Sequence, residues 1–426
     1  MTSGKELYEN NKEKLKKLLD ETSEEYQFAD FWGNLASVKK HREFDEDTKE
    51  YVDKYVDKLR PMREELVNNL EKYTEQAMKS IEKTGAKVYL AKTNEQAQKL
   101  FLQELGDERT LYKSKSADAK EMGILDACKK NGIEVIETDL GDVLVQMFEY
   151  ELPSYQLAPG VHFHPSQIAN KIKEKYNVDV EPNGPAIVSF FRKTHRPKIL
   201  NANISLTSAN AVAADDGSIV LVENEGNISL LTRLPPKHIV ICGISKIVPT
   251  VYDALLQVNM QERWNTLIGS YISFIRGPSS TNDVYGQKVI GMYGAQEVVI
   301  ILVDDWRTKA VKENSFLKEF LHCISCKACN YVCTASRAVG NIYASKMGLG
   351  ACGIIKDYIH NGIESAVKNG LFLCTSCENC KNFCPVQVDL PKIMRELKKI
   401  AVSKNLAPPP LKSYLQNIKT KKNPFK

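Results

Sequence analysis

The sequence predicts an α/β domain with a mostly parallel sheet, preceded by a helical region and followed by a small cysteine-rich domain. Three observations carry that prediction. Short β-branched apolar runs alternate with helical segments through the middle of the chain. A lysine- and glutamate-rich stretch without strand-like runs comes before them. Eight of the eleven cysteines crowd into two tight clusters after them.

Residues 1–83 read as helical. The opening segment places Leu7, Leu15, Leu18 and Leu19 on one side of a charged amphipathic helix and has no apolar signal core. "DEDTKEYVDKYVDKLRPMREELVNNLEKYTEQAMKSIEKTG" reads as a long helix, bent or restarted near Pro61 and ended by Gly85. Helices of this kind brace a neighbour, and no chemistry is assigned to them.

Residues 84–310 hold the α/β pattern. "AKVYLA", "GIEVIET", "AIVSFF", "NISLTS", "GSIVLVEN", "HIVICGI" and "VVIILVDD" read as strands, and "NEQAQKLFLQELG" and "LGDVLVQMF" as helices between them. "AADDGSIVLVENEGN" reads as two strands around a turn, a local antiparallel hairpin. Loops rich in Gly, Asn and Asp suit a sheet that presents a binding edge.

Residues 311–395 form the cysteine domain, and 396–426 a proline-punctuated basic tail. Cys323, Cys326, Cys329 and Cys333 are spaced C-x2-C-x2-C-x3-C, and Cys374, Cys377, Cys380 and Cys384 repeat that spacing. Three thiolates at i, i+3 and i+6 wrap one corner of a cuboidal cluster, and in the bacterial ferredoxin run the fourth cysteine ligates the other cluster. Two [4Fe–4S] clusters in a crossed arrangement are therefore expected. Cluster one takes Cys323, Cys326, Cys329 and Cys384; cluster two takes Cys374, Cys377, Cys380 and Cys333. The rival is zinc, which draws two C-x2-C pairs into one tetrahedron and leaves the third cysteine of each run without a role. Pro385 follows the last cysteine, whereas Thr334 stands after the first run. The 40 residues between the runs contain a glycine-rich turn, "GLGACG", with Cys352 in it, and then a helix. Ile324, Tyr331, Val332 and Phe383 read as shields of the clusters or as ordinary core. Cys128 and Cys242 read as small buried hydrophobes.

Composition sets the bounds. Apolar residues make up 43% and charged residues 26%, the balance of a globular chain, and the net charge of +5 gives no case for nucleic acid. The best apolar stretch, "HIVICGISKIVPTVYDALL", is interrupted by Lys246, Pro249 and Asp253, so no transmembrane helix is expected. The expected location is cytoplasmic, peripheral to a membrane only through a partner. No dinucleotide or flavin fingerprint accompanies the cysteines, so the chain reads as a relay of electrons, with no catalytic residue assigned.

"KSKSADAKEMGILDACKKNGIEVIETDLGDVLVQ", "APGVHFHPSQI", "ANAVAADDGSIVLVENEGN", "HIVICGISKIVPT" and "SYISFIRGP" resemble the lactate-utilization (LUD) domain. Joined to two four-cysteine runs, including "CNYVCTASRAVGNIYAS" and "CPVQVDLPKIM", they resemble the lactate utilization protein B family over roughly residues 60–395. The resemblance implies a fold similar to coenzyme A transferases and sugar-phosphate isomerases. It also implies an iron–sulfur subunit of a complex that oxidises L-lactate to pyruvate. The implied partners are a second cysteine-rich iron–sulfur subunit and a smaller LUD subunit, with a quinone or another carrier as acceptor. A different soluble complex, of heterodisulfide-reductase type, is the alternative. The family's glycine loop often reads Glu-Thr-Gly-Thr, where this chain has Asp215, Asp216, Gly217 and Ser218.

Residue by residue, a LUD pocket is expected from Lys113, Ser114, Lys115, Asp139, His162, Asn210, Gly217, Asn224, Glu225 and Gly226. Lys113, Ser114 and Lys115 form a basic loop suited to an anion. Glu137, Thr138 and Asp139 lie at a strand end, where capping is an equal explanation. His162 matches the family's histidine, and H-x-H with His164 lacks a third ligand for a metal. Glu225 beside an asparagine is placed to line a pocket, and turn geometry alone accounts for the glycines.

Overall fold

The structure, a computed structural model, describes residues 6, 9, 12, 13, 16, 46–149, 159–161, 163–265 and 268–423. Leu7, Leu15, Leu18, Leu19 and His162 lie outside the described residues. Packing divides the chain between Cys326 and Lys327 into two compact units.

The larger unit opens with helices α1 (Glu46–Asn68) and α2 (Leu70–Lys83). Pro61 lies inside α1 and does not end it; the break comes at Asn69, whose side chain donates to the Glu65 carbonyl. The proline is carried because its neighbours Leu59, Met62, Arg63 and Leu66 are all buried, so packing outweighs one lost backbone hydrogen bond.

The alternating segment follows: β1 (Lys87–Ala91), α3 (Asn94–Leu105), β2 (Thr110–Lys113), α4 (Ala117–Glu121), α5 (Ile124–Lys130), β3 (Glu134–Glu137) and α6 (Leu140–Met147). Then come α7 (Pro165–Tyr176), α8 (Gly184–Leu200), β4 (Ile204–Thr207), β5 (Ala211–Ala213), β6 (Ile219–Glu223), α9 (Asn227–Leu231) and β7 (Lys237–Gly243). The unit continues with β8 (Ile247–Val248), α10 (Val251–Asn265), β9 (Tyr271–Ile275), β10 (Ser280–Val284), β11 (Gln287–Ile290), β12 (Glu297–Val303) and α11 (Arg307–Lys312).

Six strands form one sheet in the order β1-β12-β7-β4-β2-β3, every neighbouring pair parallel. Along β12, Val299, Ile301 and Val303 join one core cluster, while Val298, Ile300 and Leu302 join the other. Apolar side chains on both faces are what a parallel sheet covered on both sides requires, and they explain the unbroken apolar run in the sequence. The chain moves outward from β2 to β3 but back from β4 to β7, so the winding reverses between β2 and β4. Beside the carboxyl ends of the strands at such a point, open α/β sheets place their crevices.

The expected hairpin is β5 with β6, antiparallel, within a second four-stranded sheet, β8-β5-β6-β9. One expected strand is instead a helix: "AIVSFF" lies within α8. Asn183 caps that helix by accepting from the Ala186 N–H, and Pro185 occupies its first turn. Ile187, Phe190 and Phe191 then face inward at helical spacing, so the apolar run that mimicked a strand is one face of a helix.

The smaller unit contains α12 (Thr334–Val339), β13 (Ala344–Ser345), β14 (Gly348–Leu349), α13 (Gly350–Lys368, interrupted at Gly362), α14 (Asn379–Asn382), α15 (Leu390–Ser403) and α16 (Pro409–Lys421). β13 and β14 pair antiparallel and lead directly into α13. Cys352 therefore sits in the first turn of a helix, not in the glycine-rich turn expected for it. Among the described residues, no helix is long and apolar enough to cross a membrane.

Candidate functional site

The two cysteine runs share a backbone conformation as well as a spacing. Ser325 and Lys327, on either side of Cys326, have φ of 64° and 64°; Ser376 and Glu378, on either side of Cys377, have φ of 55° and 64°. Left-handed backbone at four non-glycine positions costs roughly 1–3 kcal/mol each and persists only where the fold imposes it. Left-handed residues beside a cysteine can turn neighbouring N–H groups toward one side, as in the concave nests found around iron–sulfur sites. One such N–H, that of Ser325, donates to the Cys323 sulfur at 3.3 Å.

In the smaller unit, Cys329, Cys333, Cys374, Cys377 and Cys380 line one cavity together with Tyr343 and Pro391. Cys377 is exposed at its edge, and the other four are half-buried. The Thr334 hydroxyl lies 3.4 Å from the Cys377 sulfur. That hydrogen bond, with a backbone N–H from Asn379, lowers the Cys377 thiol pKa. Burial, then Cys333, Cys374 and Cys377, push Cys380 up to about 12. Four thiolates so close repel one another and require a positive core to ionise together. Sulfur-only donors in a half-buried pocket suit iron–sulfur ligation by chemistry as well as by spacing. Lys398 donates to the Cys374 carbonyl at 2.5 Å, bringing a cation to the same run. Cys352 is buried with its sulfur 3.7 Å from Cys329, and α14 holds Cys380 and ends just before Cys384.

In the larger unit, the segment leading to Cys323 and Cys326 is tied to α1 and α10. Buried Arg63 donates through Nη2 to the carbonyls of Leu321 and Ser245, each at 2.6 Å, and through Nη1 to Gln257. Gln261 donates to the Ile324 carbonyl, and Arg60 pairs with Glu319 at 2.9 Å.

The sheet edge carries a second group of chemistry-bearing residues. Lys113, at the carboxyl end of β2, is fully buried and pairs with Glu137 at the end of β3, Nζ to Oε2 2.6 Å. Ser114 is buried, and its hydroxyl has no hydrogen-bond partner among the described residues. Lys115 reaches Asp139 at 3.5 Å, and Asp139 caps α6 by accepting from the Asp142 N–H. Glu225, exposed as a residue, accepts from the Leu140 N–H at 3.2 Å; partial desolvation of its carboxylate, then nearby Asp139, raise its pKa to about 7. Burial raises Asp142, but Lys120, Lys113 and Lys115 outweigh it and leave that carboxyl below its usual value.

Lys113, Ser114, Lys115, Asp139 and Glu225 thus come together at the winding reversal, and Gly226 precedes α9 beside them. Asn224 is exposed. Asn210 and Gly217 lie elsewhere. The Asn210 side chain accepts from the Val222 N–H and donates to Gln261. Gly217, at φ +74°, packs so closely on α2 that a Cβ would come within 2.7 Å of the Ile81 nitrogen. His164 caps α7 through Ser166 and Gln167, which commits its ring to structure. Sequence reasoning missed Asp118, Glu121, Lys246 and Arg307. Lys246 meets Asp118 at 2.5 Å, and Arg307 meets Glu121 at 2.7 Å. Ser116 is the one available signal: it caps α4 and sets Asp118 and Glu121 three apart on one helix face.

Residues 74–303 match the LUD domain family, and residues 319–388 match the 4Fe-4S dicluster domain. The chain is 30% identical over 344 residues to Lactate utilization protein B of Shouchella clausii (strain KSM-K16), covering 80% of this chain and 70% of that protein. It is 29% identical over 347 residues to Lactate utilization protein B of Bacillus subtilis (strain 168), covering 80% and 70%. It is 29% identical over 354 residues to Uncharacterized electron transport protein YkgF of Escherichia coli (strain K12), covering 82% and 72%. A crystal structure of a DUF162 family protein from Deinococcus radiodurans aligns with a TM-score of 0.30 at 14% identity, covering 55% of this chain and 98% of that one.

Proposed function

Because the chain belongs to the LUD-domain family and is an electron-transfer protein with a 4Fe-4S dicluster domain, we propose that it serves a complex oxidising L-lactate to pyruvate. In this reading it is the iron–sulfur subunit, associated with a second cysteine-rich iron–sulfur subunit and a smaller LUD subunit. Electrons leave through those partners to a quinone or another carrier. The substrate and partners rest on the similarity to proteins named Lactate utilization protein B.

We assign Cys323, Cys326, Cys329 and Cys384 to one [4Fe–4S] cluster and Cys374, Cys377, Cys380 and Cys333 to the other. The observation that carries this reading is that Cys333 lines one cavity with the first three cysteines of the second run, Cys329 also standing at its wall. When bound, the clusters supply one-electron transfer, so the two electrons from lactate cross singly. The chain's own work is to hold eight thiolates, shield them and set their potentials. The sheet-edge residues Lys113, Ser114, Lys115, Asp139 and Glu225 are assigned to the LUD domain's polar site, and no catalytic base is named among them.

Anaerobically purified protein should contain about eight irons and bleach in the visible on dithionite reduction; a colourless, zinc-loaded protein refutes the cluster reading. The complex purified from its native host should reduce an acceptor with L-lactate. Failure there, with the iron in place, removes lactate and leaves electron transfer. The relative named only as an electron transport protein favours a second reading, the same role in another soluble complex of heterodisulfide-reductase type.

A further inference from the structure

The 40 residues between the cysteine runs exceed what ligation needs, and they bring one buried polar group to the sulfurs. Tyr343 is 0% exposed, and its buried hydroxyl lies within hydrogen-bonding reach of the Cys374 sulfur. It lines the cavity shared by Cys333, Cys374, Cys377 and Cys380, with Cys329 also at the wall. The ring is fixed from behind. Gly370, at φ +107°, leaves room for it where a Cβ would stand 3.1 Å from Tyr343 Cδ2. The Gly350 N–H donates to the Tyr343 carbonyl at 2.8 Å and anchors the residue to the start of α13.

A buried hydroxyl is a cost that a phenylalanine would avoid, unless it donates to the sulfurs that the cavity gathers. We propose that Tyr343 donates a hydrogen bond to the sulfurs of the cluster held by Cys333, Cys374, Cys377 and Cys380, raising that cluster's reduction potential; this rests on the ligand assignment above. Reduction adds negative charge to the cluster, and an O–H dipole aimed at its sulfurs favours the reduced form, more strongly in a dry pocket than in water. A phenol, with an ordinary pKa of about 10, carries its proton and can donate at neutral pH. The insert thereby becomes the element that sets the two clusters apart in potential.

The test is Tyr343→Phe in the full chain, loaded anaerobically and followed by redox titration with EPR. One cluster's oxidised-to-reduced ratio at the wild-type midpoint should rise about tenfold, a fall of about 59 mV for a one-electron couple. The other midpoint should stay in place. Both midpoints unchanged at full iron content would overturn the proposal. A purely structural tyrosine would change thermal stability and leave both potentials alone. Should the variant fail to hold its clusters, ENDOR on the reduced wild-type protein decides: an exchangeable proton coupled to the cluster is required, and its absence overturns the proposal. Iron near four per wild-type chain would refute the ligand assignment instead.

Discussion

Lys113 and Glu137 form a fully buried ion pair at 2.6 Å across the carboxyl ends of two adjacent parallel strands. Burial raises the Glu137 pKa, and Lys113 opposes that rise by favouring the carboxylate. Glu137→Gln leaves the ammonium buried without its counter-charge, with an expected loss of about 3–5 kcal/mol in unfolding free energy. Glu137→Leu combined with Lys113→Met removes both charges and should recover most of that loss. Denaturant titration checks both, and a single variant as stable as wild type would show that the pair holds nothing together.

Glu225 gives the sheet edge a pH dependence of stability. Its folded pKa of about 7 lies above its usual value, so the folded state holds more protons than the unfolded state between those two values. The contribution is complete below the unfolded pKa and is lost as pH rises through about 7. As pH rises from acidic to neutral, the thermal midpoint of wild type should fall relative to that of Glu225→Gln. Parallel curves would place the Glu225 pKa at its ordinary value.

The crossed ligand assignment makes a prediction about pairs of variants. Cys333→Ala and Cys380→Ala should leave the same residual EPR spectrum, because each damages the same cluster. Cys384→Ala should match Cys329→Ala. A spectrum of Cys333→Ala that matches Cys329→Ala would mean that each run holds its own cluster.

Arg63 ties α1 to the segment before Cys323 by two 2.6 Å hydrogen bonds to main-chain carbonyls. Among the described residues, no carboxylate is its hydrogen-bonding partner; burial lowers its pKa to about 10 while Cys323 favours its charge. Arg63→Leu strands those acceptors and should cost about 3 kcal/mol, read as a lowered thermal midpoint. It should also loosen iron retention at the cluster containing Cys323. Full iron retention with unchanged stability would make this arginine dispensable.

Much of this architecture is local in origin and therefore legible in the chain itself. The spacing of the two cysteine runs specifies iron–sulfur ligation because adjacent thiolates must reach adjacent irons. The apolar runs of β4, β7 and β12 announce a covered parallel sheet because each strand must satisfy two faces. Local pattern failed where it was ambiguous: "AIVSFF" fits a strand or a helix face, and the cap at Asn183 decides for the helix. It failed again for Gly217, whose need is close approach to α2, a segment more than a hundred residues earlier.

The sequence by itself determined the kind of chemistry, eight thiolates for two clusters, and the layered α/β frame before them. Only the tertiary structure decided which charges meet. Asp118 with Lys246 and Glu121 with Arg307 pair between distant segments, Lys113 with Glu137 across adjacent strand ends, and Tyr343 lines a cavity of cysteines. Ligand spacing and strand patterning act over a few residues and survive in a linear code. Pairing and burial depend on where distant segments pack, which no local spacing records.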